Sequence, residues 1–228
     1  MIVIPNRRVR NILRRLIPFV LIPALVALGA LVFDERRHLI ISLGVAVLAL
    51  LLFAAGFEQR RIGSRRMALT AVMTALAVIG RFLPIVKPIT ALCVIAGIYL
   101  GAEAGFFTGA MSVLISNIYF GQGPWTPFQM LGFGLIGLIA GYLSKSLLSS
   151  RVLLILYGVI AGVGYSFLMD IWTVLWYSGG FNGKLYLAAI ASALPFTITY
   201  AASNVLFLLL LGKPLGQKLA RIKLKYGL

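Results

Sequence analysis

Two ionisable residues stand deep inside apolar stretches of this sequence, where a charge is costly and usually serves a function. Arg81 lies fifteen residues after Arg66, and Asp170 lies eighteen after Val152, distances of about 22 Å and about 27 Å along a helix. If both stretches cross a membrane, the two residues approach the same face, where they pair or line one polar cavity. The alternatives are that Arg81 reaches lipid phosphates and that Asp170 bonds a neighbouring helix.

The outer loop, residues 117–130, is the longest polar break between the apolar stretches. Its glycines and prolines set turns and forbid continuous helix, while its aromatic rings and amides offer stacking faces and hydrogen bonds. This combination suits an organic ligand, and the alternative is an ordinary interfacial loop with an aromatic anchor. The residues concerned are Gly121, Gln122, Gly123, Pro124, Trp125, Pro127, Phe128 and Gln129.

Aromatic residues cluster on the same predicted side of the membrane, which includes all three tryptophans of the chain. Their flat surfaces favour a large, mostly neutral, conjugated ligand over a small ion. The residues expected to bind such a ligand are Arg81, Asn117, Tyr119, Phe120, Trp125, Phe128, Gln129, Asp170, Trp176, Tyr177, Phe181 and Asn182.

Composition places these residues in an integral membrane protein, because 61% of the 228 residues are hydrophobic and only 11% are charged. The net charge of +16 does not indicate nucleic acid, since the basic residues flank apolar spans and read as topology signals and contacts with anionic lipid. The single cysteine, Cys93, lies in an apolar run, and the single histidine, His38, lies in a loop. No metal site, cofactor or catalytic constellation is therefore expected, and the chain is expected not to be an enzyme.

Apolar runs divide the chain into an N-terminal two-span extension at 1–58, a basic cytoplasmic linker at 59–66, a helical core at 67–212 and a basic tail at 213–228. The spans of the extension are expected at 16–33 and 39–57, and the tail is expected to be amphipathic on the membrane surface. The core spans are expected at 67–82, 88–120 as a pair of helices, 127–143, 152–177 and 185–211.

Residues 88–120 are too long for one span, because the 32 steps from Pro88 to Phe120 rise about 48 Å along a helix, against a hydrocarbon core of about 30 Å. We expect a hairpin of two short helices with its tip at residues 101–105, where Glu103 reaches water. With this hairpin, sixteen of the 21 basic residues fall on the side of the termini and five on the other. The bias predicts that both termini are cytoplasmic.

Ala68, Ala71 and Ala75 form a stripe of small residues on the first core helix. Such a stripe lets another helix approach closely, either from a partner protein or from the same bundle. Two segments carry a resemblance to a known family: residues 66–81, which cover most of this helix, and residues 116–130. In these segments the chain resembles the substrate-binding S-components of energy-coupling factor (ECF) transporters. Residues 116–130 most resemble those of the cobalamin-specific members of lactobacilli.

The resemblance implies an all-α, six-helix core, here preceded by two additional N-terminal helices. It implies a non-catalytic subunit of a vitamin importer, binding cobalamin (vitamin B12) from outside and docking through Ala68, Ala71 and Ala75 on a transmembrane scaffold driven by two ATPases. The alternatives are an S-component for another vitamin or flat organic solute, and a channel or structural membrane subunit. A channel would pass solute alone, whereas an S-component would bind ligand alone and move it only with its ATPases.

Overall fold

The computed structural model describes residues 6–31, 38–56 and 63–226, and these ranges are almost entirely helical. Of the predicted polar loop at 34–38, residues 34–37 lie outside the described residues, as does the first part of the basic linker, 59–62. The prediction that His38 lies in a loop is wrong, because His38 is the first residue of α3. The helices are α1 (Arg7–Leu16), α2 (Ile22–Leu31), α3 (His38–Ala55), α4 (Gly63–Gly80), α5 (Ile89–Leu100), α6 (Ala102–Phe120), α7 (Thr126–Tyr142), α8 (Ser144–Ser149), α9 (Arg151–Ser178) and α10 (Gly183–Tyr226), and a π-helical turn at Ile17–Leu21 joins α1 to α2.

Four helical stretches are long and apolar enough to cross a membrane: Arg7–Ala30, His38–Ala55, Arg151–Ser178 and Gly183–Ile222. Two shorter apolar helices, α5 and α7, lie among them. The length and composition of these helices confirm the prediction of an all-helical, multi-pass membrane protein. The first helix begins at Arg7, earlier than expected, because the side chain of Asn6 accepts a hydrogen bond from the backbone N–H of Arg8 at 2.9 Å and caps it.

Residues 88–120 form the predicted hairpin, and Gly101 joins α5 to α6 with a φ of +104° that favours glycine. α5 is buried along most of its length, with α4, α6, α7 and α10 packed around it. α6 and α7 approach so closely that a methyl group on Gly137 would collide with the backbone of Gly105. Glycine at these crossings is therefore what brings the centre of the bundle together.

Glu103, at the start of α6, does not reach water as expected. Its side chain is only 2% exposed, and it forms ion pairs with Nε of Arg14 from α1 and with Nη2 of Arg66 from α4, the latter at 3.2 Å. Arg66 also donates a hydrogen bond to the carbonyl oxygen of Gly56 at 2.9 Å. The two arginines neutralise the carboxylate, which is why it can be buried, and the cluster ties the N-terminal helices to the rest of the bundle.

Two further element boundaries differ from the expected ones. The interval 144–151 between two predicted spans contains the short helix α8, and most of the basic tail, up to Tyr226, continues α10, which runs for 44 residues, or about 66 Å. Pro195 and Pro214 lie inside α10. A proline removes one backbone hydrogen bond, and the neighbouring leucines and lysines are good helix formers, so the helix continues past Lys213.

Candidate functional site

A cavity of about 340 Å³ opens where α7, α9 and α10 meet the segment between α4 and α5. Its size lies at the lower end of the range for pockets that hold drug-sized organic molecules, about 300 to 1,000 Å³. Its wall combines aromatic rings, hydroxyl groups, an amide pair and two cations. The lining residues are Arg81, Ile85, Lys87, Ile89, Thr90, Gln129, Phe133, Gly162, Tyr165, Phe196, Thr199, Tyr200, Ser203 and Asn204.

A buried hydrogen-bond network positions Arg81 at the edge of this cavity. Nη1 of Arg81 donates to Oγ of Ser116 and, at 2.8 Å, to Oδ1 of Asn117. The amide of Asn117 in turn donates to Oε1 of Gln129 at 3.0 Å and to Oγ1 of Thr126 at 3.0 Å. The network therefore holds Arg81 and Gln129 in the cavity wall through Asn117, which stands behind them.

Lys87 lies in the segment between α4 and α5 and is held against α10. Its backbone N–H donates to Oγ of Ser203 at 2.9 Å, and the same hydroxyl donates to the carbonyl oxygen of Lys87 at 3.0 Å. The ammonium group lies 5.4 Å from the centre of the Phe120 ring, and the Arg81 guanidinium lies 5.5 Å from the same centre. Burial, and then the charge of Arg81, hold the pKa of Lys87 below its usual range.

Aromatic rings form the wall between α7, α9 and α10. The rings of Phe133 and Tyr165 lie 4.3 Å apart, and Tyr165 meets Tyr200 edge to face at 5.5 Å. Tyr200 is 38% exposed, so a ligand can reach it without disturbing the core. A flat molecule fits such a wall through stacking and apolar contact.

Among the predicted binding residues, Arg81 and Gln129 line this cavity, and Asn117 supports them. The others are not in its lining. Trp125 and Trp176 belong to an aromatic row with Trp172, whose ring centre lies 5.8 Å from that of Trp125 and 6.2 Å from that of Trp176. The remaining predicted residues are Tyr119, Phe120, Phe128, Asp170, Tyr177, Phe181 and Asn182, of which Phe128 and Asp170 are buried.

Asp170 is not an ion-pair partner of Arg81. Its side chain is 7% exposed, and its Oδ2 atom has no hydrogen-bond partner among residues 6–31, 38–56 and 63–226. Neither an ion pair between these two residues nor a hydrogen bond accepted by Oδ2 from a neighbouring helix is therefore present in the described part of the chain.

Sequence reasoning missed most of the cavity wall, in particular the contribution of α10. The sequence pattern of α10 does indicate this wall. Thr199, Tyr200, Ser203 and Asn204 stand at positions i, i+1, i+4 and i+5, and so they share one helical face. Polar residues that recur in this way inside an apolar span indicate a wall that faces a cavity or another helix.

The small-residue stripe of α4 lies on the outer surface of the described bundle. Ala68, Ala71 and Ala75 are exposed, and Val72 and Ile79 extend the same apolar face. This exposure excludes the alternative that the stripe packs against another helix within the described part of the bundle.

One comparison with known proteins gives a match. The family model described as ECF-type riboflavin transporter, S component, matches residues 61–221, a range that begins just before α4 and includes every residue of the cavity wall. Helices α1 to α3 lie outside the matched range. No curated protein and no solved structure matches the chain.

Proposed function

The chain belongs to the family of ECF-type riboflavin transporter S components, and from this premise we propose that it binds riboflavin in the cavity for uptake across the membrane. S-components are non-catalytic, substrate-binding subunits that work with ECF scaffold and ATPase modules. The observation that carries the substrate proposal is the cavity itself, which has a volume of about 340 Å³ and is lined by both aromatic rings and hydrogen-bonding groups. Riboflavin has one flat ring system and one polar chain, and so it matches both features.

Cobalamin, expected from the resemblance of residues 116–130, is the second candidate. A corrinoid is several times larger than a flavin and would need the space around the outer loop in addition to the cavity. The matched family is named for riboflavin, and the cavity volume also favours the smaller ligand. Titration calorimetry of the purified subunit with each vitamin separates the two candidates.

We propose that the exposed stripe Ala68, Ala71 and Ala75 docks on the scaffold subunit, since its exposure in the described bundle leaves it accessible to a partner helix. The bias of basic residues supports a cytoplasmic location for both termini. The alternative of a channel predicts solute flux through the subunit alone in vesicles. The transporter proposal predicts flux only when the scaffold and the ATPases are present.

Replacing Tyr200 with alanine should weaken riboflavin binding, because the ligand loses the ring that closes the aromatic wall. The loss of stacking and apolar contact is worth roughly 1 to 3 kcal/mol, or about 5- to 150-fold in affinity. Quenching of flavin fluorescence by the purified subunit measures the effect.

The matched comparison is Trp125→Ala, another aromatic-to-alanine change on the predicted ligand side of the bundle. Trp125 is absent from the cavity lining and packs edge to face on Trp172, so its removal should change riboflavin affinity less than the removal of Tyr200. A strong effect of Trp125→Ala together with an unchanged affinity in Tyr200→Ala would move the binding site to the outer loop.

A further inference from the structure

Two cations in the wall of the cavity have no anion beside them within the described part of the chain. Arg81 and Lys87 both line the cavity, and neither forms an ion pair with a carboxylate of residues 6–31, 38–56 or 63–226. Both lie over the Phe120 ring, at 5.5 Å and 5.4 Å from its centre. Two like charges beside one ring, in a partly buried place, repel each other and lose solvation, so an anion next to them would be stabilising.

The positions of the two cations are built into the fold. Arg81 is 9% exposed and uses Nη1 for Ser116 and Asn117. Its Nε and Nη2 atoms have no hydrogen bond within the described part of the chain, so they remain for a ligand. Lys87 is attached to α10 by the two hydrogen bonds between its backbone and Ser203. These bonds fix the side chain of Arg81 and the backbone of Lys87, whose ammonium group lies 5.4 Å from the centre of the Phe120 ring.

A helix terminus adds to the positive potential at the same end. α5 begins at Ile89 after Pro88, and no side chain caps its first N–H groups. Ile89 and Thr90, the first two residues of the helix, line the cavity. Uncapped N–H groups and the helix dipole favour a negative charge at this position.

We propose that Arg81, Lys87 and the N-terminus of α5 form an anion subsite, which binds a phosphate or carboxylate group of the substrate; the inference rests on the proposed function, because the subsite is one end of the same cavity. The aromatic wall of Tyr165 and Tyr200 would hold the flat part of the ligand, and the subsite would hold its charged group. The site would then prefer an anionic vitamin derivative over the neutral vitamin.

Riboflavin and flavin mononucleotide test this preference, because they share the ring system and differ by one phosphate, which carries about −1.5 to −2 charges at neutral pH. The purified full-length subunit is titrated with each flavin, and fluorescence quenching gives the two dissociation constants. We expect the mononucleotide to bind roughly 10- to 100-fold more tightly, the usual effect of charge-assisted hydrogen bonds. Equal binding, or tighter binding of riboflavin, would overturn the proposal.

Lys87→Gln should bring the ratio of the two dissociation constants most of the way to one, since the amide keeps the length of the side chain and loses the charge. Lys184→Gln is the matched control, because Lys184 is exposed just after the α9–α10 turn and is not in the cavity lining. The control should leave the ratio at its wild-type value. A ratio that falls equally in both variants would indicate general attraction between the protein and anions, and it would contradict a subsite.

Failure of the proposed function has a different signature. If neither flavin binds, the substrate assignment is wrong, and the subsite is then tested with inorganic phosphate against chloride at equal ionic strength. Phosphate should raise the midpoint of thermal unfolding of the wild type and of Lys184→Gln, with a smaller shift in Lys87→Gln. Equal midpoints in phosphate and chloride would overturn the subsite as well.

Discussion

Uptake by the assembled transporter should fall to background when Ala71 or Ala75 is replaced by tryptophan, while the isolated subunit still binds its ligand. Both alanines are exposed on α4, so the larger side chain disturbs no contact inside the described bundle. At a helix–helix contact made through small residues, an indole ring holds the two helices apart, removes their dispersion contacts and adds a clash. The two measurements are ATP-dependent uptake by vesicles that contain the whole complex and ligand titration of the subunit alone.

The control for this experiment is Ala191→Trp, the same substitution at an exposed alanine of α10 that is not in the cavity lining. It should leave both uptake and binding at wild-type levels. Co-purification with the scaffold should be lost in the α4 variants and kept in the control. Wild-type uptake by both α4 variants would show that the stripe does not dock on the scaffold.

Glu103→Gln should destabilise the folded protein by about 3 to 5 kcal/mol, because it leaves Arg14 and Arg66 facing each other without the carboxylate between them. The glutamine keeps the size of the side chain, so the effect reports the charge and not a cavity. Thermal unfolding of the detergent-solubilised protein measures it. The same cluster joins the end of α3, through Gly56, to Arg66 of α4.

Arg151→Gln provides the comparison, because it removes one exposed charge from the same end of the bundle. It should change the unfolding midpoint little, as surface charges generally do. Arg14→Gln should have an intermediate effect, because Glu103 keeps Arg66 as a partner. If Glu103→Gln unfolds at the same temperature as Arg151→Gln, the buried cluster does not hold the N-terminal helices to the bundle.

The hairpin of α5 and α6 was predictable because a length argument was enough. Residues 88–120 exceed a bilayer as one helix, and the glycine at 101 offers the positive φ that a sharp reversal needs. The fate of Glu103 was not predictable by the same means. Its partners lie 89 and 37 residues away in the chain, so its burial depends on which helices become neighbours.

The outer loop shows how a local pattern can indicate the right chemistry without showing where a cavity lies. Asn117 and Gln129 were expected near a ligand. Gln129 does line the cavity, and Asn117 stands behind the wall, where it bonds both Gln129 and Arg81. The tryptophan of the loop, Trp125, packs instead on Trp172 of α9. Aromatic composition reports what a segment can contact, whereas the empty volume depends on the crossing of α7, α9 and α10.

By itself, the sequence determined the helical membrane character of the chain, the division of its apolar runs and the likeness to ECF S-components, because hydrophobicity, helix length and short motifs are local properties. Only the tertiary structure decided that Glu103 is buried between two arginines, that the alanine stripe is left open, and that Lys87 and the face of α10 complete a cavity with Arg81. Each of these depends on contacts between residues far apart in the chain, and the packing of the helices creates those contacts.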